Sequence, residues 1–492
     1  MTAVENVNNS SIKGITMIYI DRPEIAEECG VFGICSGGED VARLAFFGIF
    51  SLQHRGQESA GIAASDGKCI RLHRDMGLVT QVFHEDTLAS LKGHIAIAHT
   101  RYSTTGSSIL RNVQPMLCEC DFGNIALAHN GDLVNAGPLR DELEASGIEL
   151  ETTNDSEVIL KLIATSGAST IEDAIKYAMS KIRGAYSVVV LTQDKLIAFR
   201  DPFGIRPLSI GRLNGSHYAV ASETCAFNTI GANFVREVEP GEMVVIDENG
   251  LTEYQAIPLE GRALCIFEYV YFARPDSRMY NRTMHEARRR MGHELAKEHP
   301  CPGAHIVFPI PDTGIPAAIG LAEASRIPYA EGVIKNRYIH RTFIQPDQRM
   351  REMGVRMKLS PLKETLAGRR VVMVEDTIVR GTTSAPTIKM IRDAGAVEVH
   401  VRIACPPIKY PCFYGIDTAN QDELIASKLS IEQIRQHIGA DSLGYLSLPG
   451  LVRAIGVKKD KLCCACLDGK YPVDVSKEAK MSKFVFEKTP AL

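Results

Sequence analysis

The chain has 492 residues, of which 45% are hydrophobic and 23% charged, with a formal net charge of -4. These proportions are ordinary for a folded enzyme of about three domains; they exclude a disordered chain, and the mild acidity leaves no general surface for nucleic acid. No apolar run is long enough to cross a bilayer, so a cytoplasmic protein with no membrane partner is expected, and an odd count of thirteen cysteines there points to catalysis or metal rather than disulfides.

Residues 1 to 28 lack periodicity and read as a loose leader, whose apolar hexad Ile15 to Ile20 is too short for a signal-peptide core. Cys29 then heads a short apolar strand, Gly30-Val31-Phe32-Gly33-Ile34. Alone it reads as a small core residue. Four motifs follow: Leu52-Gln53-His54-Arg55-Gly56-Gln57-Glu58-Ser59-Ala60-Gly61, Ala98-His99-Thr100-Arg101-Tyr102-Ser103-Thr104-Thr105-Gly106, Ala128-His129-Asn130-Gly131-Asp132 and Asn154-Asp155-Ser156-Glu157. Taken singly, Arg101 would be a surface ion pair, Asn130-Gly131 a hairpin turn and Asp155 a helix N-cap.

In this order the motifs resemble the glutaminase domain of the N-terminal nucleophile amidotransferases over about residues 29 to 255. The resemblance implies an αββα sandwich, a propeptide at 1–28, and a freed Cys29 whose α-amine, with a reference pKa near ~8, is the base for its own thiol. It also implies an oxyanion hole from Asn130 and Gly131, with Arg101 and Asp155 holding the carboxylate and ammonium of glutamine. The segments Ala185 to Thr192, Lys195 to Arg200 and Met243 to Ile246 read as further strands. The turn Asp201 to Pro207 reads as structural, with a domain-contact role.

A second unit opens near Gly261 with Cys265-Ile266-Phe267-Glu268-Tyr269 and an Arg-rich helix over about Tyr280 to Lys297, read as a solvated or interface face. A buried strand, His305 to Ile310, delivers Pro311-Asp312-Thr313-Gly314, a turn opening a helix toward an anion. The run Lys335 to Phe343 supplies three permanent cations. Val371 to Val374 is a buried parallel strand followed by Glu375, Asp376, Thr377 and then Arg380-Gly381-Thr382-Thr383-Ser384, a loop shaped for a ribose 5-phosphate.

This last run resembles the phosphoribosyl pyrophosphate (PRPP) signature of type I phosphoribosyltransferases, with Glu375 where most relatives are expected to carry Asp. By that resemblance Asp312, Thr313 and Gly314 form the pyrophosphate loop. Lys335 and Arg337 belong to a mobile catalytic loop, and one Mg2+ per subunit contacts Thr313, Glu375 and Asp376. Near the end, Cys463 and Cys466 form a Cys-x-x-Cys pair, with Cys464 between them. Such a pair suits zinc or redox chemistry equally.

From Cys29 to about Pro472 the chain resembles the amidophosphoribosyltransferase family, in its iron-sulfur form. That implies one 4Fe-4S cluster per subunit on Cys265, Cys412, Cys463 and Cys466, although four thiolates fit Zn2+ by count alone. The implied reaction hydrolyses glutamine at Cys29 and passes ammonia to C1 of PRPP, giving 5-phosphoribosylamine, pyrophosphate and glutamate at the first step of purine synthesis. Homotetramers and purine nucleotide inhibitors come with the family. The expected layout is a propeptide at 1–28, a class II glutaminase domain at 29–260, a phosphoribosyltransferase domain at 261–440 and a C-terminal segment at 441–492. A sugar-isomerase partner domain or a DNA-binding PRPP sensor would each leave one half of these motifs unexplained.

Overall fold

The computed structural model describes residues 29–37, 40–102, 106–336, 357–416, 418 and 420–475. Its first half is built from β1 (Gly30–Cys35), β2 (Ser59–Ser65), β3 (Ile70–Met76), β4 (Ile95–Arg101), β5 (Met116–Cys120) and β6 (Gly123–Leu133). The strands β7 (Gly184–Leu191), β8 (Leu196–Arg200), β9 (Ser209–Leu213), β10 (His217–Ala221), β11 (Asn233–Glu237), β12 (Glu242–Asp247) and β13 (Gly250–Gln255) complete it.

These strands form two antiparallel sheets, in the orders β11-β9-β10-β1-β4-β2-β3 and β13-β12-β8-β7-β6-β5. Along β7, Val189 and Leu191 pack between the sheets, while Val188 and Val190 pack on the far side of the second sheet. A strand covered on both faces has no polar side to show, so this one reads as a continuous apolar run. Helix α1 (Val41–Ser51), capped by Asp40, covers the outer face of the first sheet; α2 (Asp155–Ala164) and α3 (Ile171–Lys181) cover the second. The layers are therefore helix, sheet, sheet, helix, as the sequence led us to expect.

The second half contains β14 (Leu264–Cys265), α4 (Met284–Glu298), β15 (Ile306–Pro309), α5 (Ile315–Ser325), β16 (Arg370–Glu375), α6 (Ser384–Asp393), β17 (Glu398–Ile403), β18 (Ser442–Tyr445) and β19 (Leu462–Cys463). Strands β15 to β18 make one parallel sheet in chain order. Its fourth strand lies past the domain edge placed at 440 from sequence, because a four-residue strand leaves too short an apolar signal to separate from its neighbours. Helix α4 begins four residues later than expected: Tyr280 and Asn281 take φ of 46° and 59°, making a tight turn before the helix. The two halves share one core, since Val134, Ala185 and Ile205 of the sandwich pack among the residues of the parallel unit.

Candidate active sites

The N-terminal end of β1 and the C-terminal end of β4 lie side by side, with Gly30 opposite Thr100, so Cys29 and Arg101 sit at the same end of the first sheet. The Cys29 thiol donates to the Tyr102 carbonyl at 3.3 Å. Burial pushes that thiol up to about 11, against the pull of the Arg101 guanidinium, while Glu58 and Asp155 push the same way as burial. Arg101 is 2% exposed, far from the surface ion pair that its motif alone suggested; burial lowers its pKa from the ordinary value.

Asn130 and Gly131 lie inside β6, opposite Ser187 and Tyr186, and not in a hairpin turn. The Asn130 Nδ2 is buried and has no hydrogen-bond partner among the described residues, a donor left open in a site otherwise closed. Gly131 has φ of 145°, and a Cβ there would fall 1.9 Å from the Ala185 carbonyl oxygen, so only glycine fits. The cap of α2 is Asn154, whose side chain accepts from the Ser156 N–H at 2.8 Å. That frees Asp155, which accepts from the Leu133 N–H at 3.0 Å and lies 3.8 Å from His129. Each of the two buried histidines has one ring nitrogen engaged, His99 Nε2 with the His129 carbonyl at 3.1 Å and His129 Nδ1 with Ser156 Oγ at 3.1 Å; their other ring nitrogens, like Asn130 Nδ2, lack a partner among the described residues. Ser103, Thr104 and Thr105 of the same motif lie outside the described residues, as does the whole of 1–28.

Sequence reasoning assigned no role to Arg55. It is fully buried, donates from Nε to the Cys29 carbonyl at 3.1 Å, and pairs with Glu223 at 2.6 Å and Glu268 at 2.7 Å. Glu223 also accepts from the Ser277 hydroxyl at 2.6 Å and the Arg274 N–H at 2.9 Å, so the nucleophile's backbone is tied to the second half through charged groups. The only trace in the sequence is Gly56: a Cβ there would meet the Arg101 backbone nitrogen at 2.6 Å. Arg288 was also missed. It is buried within the Arg-rich α4 and donates to the carbonyls of Tyr269 at 2.9 Å and Ala273 at 2.7 Å, whereas Arg289 and Arg290 fit the solvated reading.

In the second half, Glu375 ends β16, and Asp376 follows it into the loop before α6. Asp376 is pushed up from its ordinary value by burial and is held the other way by the hydroxyls of Thr313 and Thr377 and by the charge of Arg288. Thr377 Oγ1 donates to it at 2.8 Å, and Thr313 Oγ1, from the loop after β15, donates to its other oxygen. The two expected loops thus meet at one carboxylate. Gly314 precedes α5, exposed Asp312 accepts from Lys335 Nζ, and Arg380 Nε reaches Glu423 at 2.8 Å. Gly381 is buried, Thr382 exposed, and Thr383 stands just before the first residue of α6. Arg337 and the rest of the basic run to Phe343 lie outside the described residues.

The four cysteines expected to act together converge from three segments. Cys265 and Cys463 are register partners across β14 and β19, and the Cys466 carbonyl accepts from Lys409 at 3.0 Å and Tyr410 at 3.1 Å, just before Cys412. Burial raises each of the four thiols, and the neighbouring cysteines raise Cys463 and Cys466 further. Cys464 is raised to about 12 by burial and by Asp468, with Lys459 opposing. Among the described residues no three His, Cys, Asp or Glu side chains are gathered as ligands of a single ion.

A family model described as a glutamine amidotransferase domain matches residues 99–229. An amidophosphoribosyltransferase of Synechococcus elongatus is 51% identical over 476 residues, covering 96% of this chain and 96% of the relative. The solved glutamine PRPP amidotransferase of B. subtilis, complexed with ADP and GMP, is 49% identical with a TM-score of 0.87, covering 91% of this chain and 98% of that one. A second solved structure, described as the allosteric regulatory enzyme of purine biosynthesis, is 48% identical with a TM-score of 0.89, covering 94% of this chain and all of the other.

Proposed function

Since the chain belongs to the amidophosphoribosyltransferase family, we propose that it releases ammonia from glutamine at Cys29 and joins it to C1 of PRPP, in purine biosynthesis. The observation that carries this is the buried, open Asn130 Nδ2 at the end of the sandwich that also holds the Cys29 thiol, Arg101 and Asp155. A donor kept dry and without a partner is what a developing oxyanion requires.

In this reading residues 1–28 are removed, and the freed amine of Cys29 takes the proton of its own thiol. The sulfur attacks the carboxamide carbon, and the oxyanion is met by Asn130 Nδ2 and the Gly131 N–H. Ammonia leaves with the proton and a thioester forms; water then releases glutamate. Arg101 pairs with the substrate carboxylate and Asp155 with its ammonium. Ammonia kept away from bulk water stays unprotonated and nucleophilic. In the second half Thr377, Gly381, Thr382 and Thr383 cradle the 5-phosphate, with Arg380 beside them. Glu375 and Asp376 hold the ribose hydroxyls, while Asp312, Thr313, Gly314 and Lys335 face the pyrophosphate, a role the family resemblance also gives to Arg337.

The cofactors that the family resemblance implies suit the donors present. Thr313, Glu375 and Asp376 offer hard oxygens, with the Thr313 hydroxyl already hydrogen-bonded to Asp376, and fit Mg2+, which would supply charge neutralisation for the departing pyrophosphate. Cys265, Cys463 and Cys466, all buried, and half-buried Cys412 offer four sulfurs that fit a 4Fe-4S cluster fastening the C-terminal segment to the second half. We assign the glutaminase unit to 29–260 and extend the phosphoribosyltransferase unit past 440 to include β18. A homotetramer in the cytoplasm, inhibited by purine nucleotides, completes the reading; the B. subtilis relative was solved with ADP and GMP. Among the described residues no helix is long and apolar enough to cross a membrane.

The test is glutamate release by protein handled without oxygen, first with glutamine alone and then with PRPP and Mg2+. A large rise on adding PRPP is expected. A rate indifferent to PRPP would mean that the acceptor is wrongly assigned.

A further inference from the structure

Building on the proposed iron-sulfur group, we infer that Arg206, a residue of the glutaminase half, is the counter-charge that holds the cluster in its electron-rich state. Arg206 is fully buried and its backbone is fixed. Asp201 Oδ1 accepts from the Phe203 N–H at 2.9 Å and Asp201 Oδ2 from the Ile205 N–H at 2.9 Å, while Arg200 donates to the carbonyls of Gly204 at 2.8 Å and Arg206 at 2.6 Å. From that platform the turn reaches the backbone beside two of the four cysteines. The Cys265 N–H donates to the Ile205 carbonyl at 3.0 Å, and Arg206 Nε donates to the Tyr414 carbonyl at 2.8 Å, two residues beyond Cys412.

The geometry links the cation to a thiol through one residue. The Tyr414 N–H donates to Cys412 Sγ at 3.4 Å, while the Tyr414 carbonyl accepts from the Arg206 guanidinium. Four thiolates around an iron-sulfur core carry net negative charge into a region without water, which is unfavourable unless a cation is fixed nearby. A guanidinium held by its backbone and by Tyr414 supplies that charge with little conformational freedom to lose. It favours the state with the extra electron, so its removal should lower the midpoint potential and ease oxidative loss. Arg206 is thus a positioning residue for the cluster, and through it the turn Asp201 to Pro207 joins the two halves.

The experiment compares the parent chain with Arg206→Gln, which keeps an N–H donor for Tyr414 but no charge, and Arg206→Lys, which keeps the charge. All are purified without oxygen and assayed for iron, acid-labile sulfide, midpoint potential and bleaching in air. For Arg206→Gln we expect a lower potential and bleaching faster by about fivefold or more, with Arg206→Lys within about twofold of the parent. An Arg206→Gln chain with the parent's potential and lifetime overturns the inference. So does an Arg206→Lys chain that loses its cluster although the charge is kept. A parent chain without iron and sulfide removes the cluster itself, which separates that failure from a failure of Arg206.

Discussion

Cys29 and Asp376 are both buried, yet their surroundings are opposite. Around Cys29, Arg101, Asn130 and Asp155 are each at most 3% exposed and are anchored to strands or to the first turn of a helix. Around Asp376, the cations Lys335 and Arg380, expected to meet phosphate, pair with the exposed carboxylates of Asp312 and Glu423. Such surface pairs are worth only about 0–1 kcal/mol, so exchanging them for a ligand's phosphates costs little. The sandwich holds its groups buried and fixed by strands and a helix, whereas the parallel sheet carries its cations in ion pairs with exposed carboxylates.

The sharpest way to break that contrast is to disable each site in turn. Cys29→Ala should lower glutamine-dependent pyrophosphate release by at least about a thousandfold while ammonium chloride still supports it. Asp376→Asn should lower both by about a hundredfold. Loss of the ammonia-dependent rate in Cys29→Ala would show that the two sites are not separable.

The closed character of the first pocket can be read by pH. In a chain whose Cys29 nitrogen is still acylated, the thiol stays pushed up to about 11. Because only the thiolate reacts, alkylation by iodoacetamide should then rise about tenfold per pH unit from 7 to 10. After cleavage the α-amine, with an ordinary pKa near ~8, should flatten the profile above that pH. Peptide mass spectrometry following Cys29 in both forms checks this, and a flat profile in the uncut chain would contradict the burial argument.

A smaller effect sharpens the view of the junction. Arg55→Met leaves Glu223 and Glu268 buried without their shared cation, which should cost about 3–5 kcal/mol of stability. Denaturant titration measures it, and a loss below about 1 kcal/mol would mean that water reaches the network.

The Asp376 loop was legible from sequence because its strand, its two acids and its glycine and hydroxyl run are contiguous; the helix begins at Ser384, the last residue of the run read as loop. Asn130 and Arg101 were legible as residues but not as environments, since a strand interior and a buried guanidinium are settled by strands paired from far along the chain. Arg55 and Arg288 were not legible as buried cations, and Arg206 was legible only as part of a turn with a domain-contact role. A buried cation depends on acceptors that lie 26 to 213 residues away for Arg55 and 208 for Arg206, and local pattern assigns arginine to the surface. The same non-locality hid β18, whose four residues declare themselves only beside β17.

The pairing of β14 with β19 also bears on how the molecule is made. About 200 residues separate Cys265 from Cys466. At roughly 5–20 residues per second, synthesis leaves the first thiol waiting about 10–40 s for the last. The sandwich, by contrast, is complete as soon as β13 has emerged. A group held by all four sulfurs would therefore be set in place only after most of the chain exists, and its presence in a purified sample would report that translation had passed Cys466.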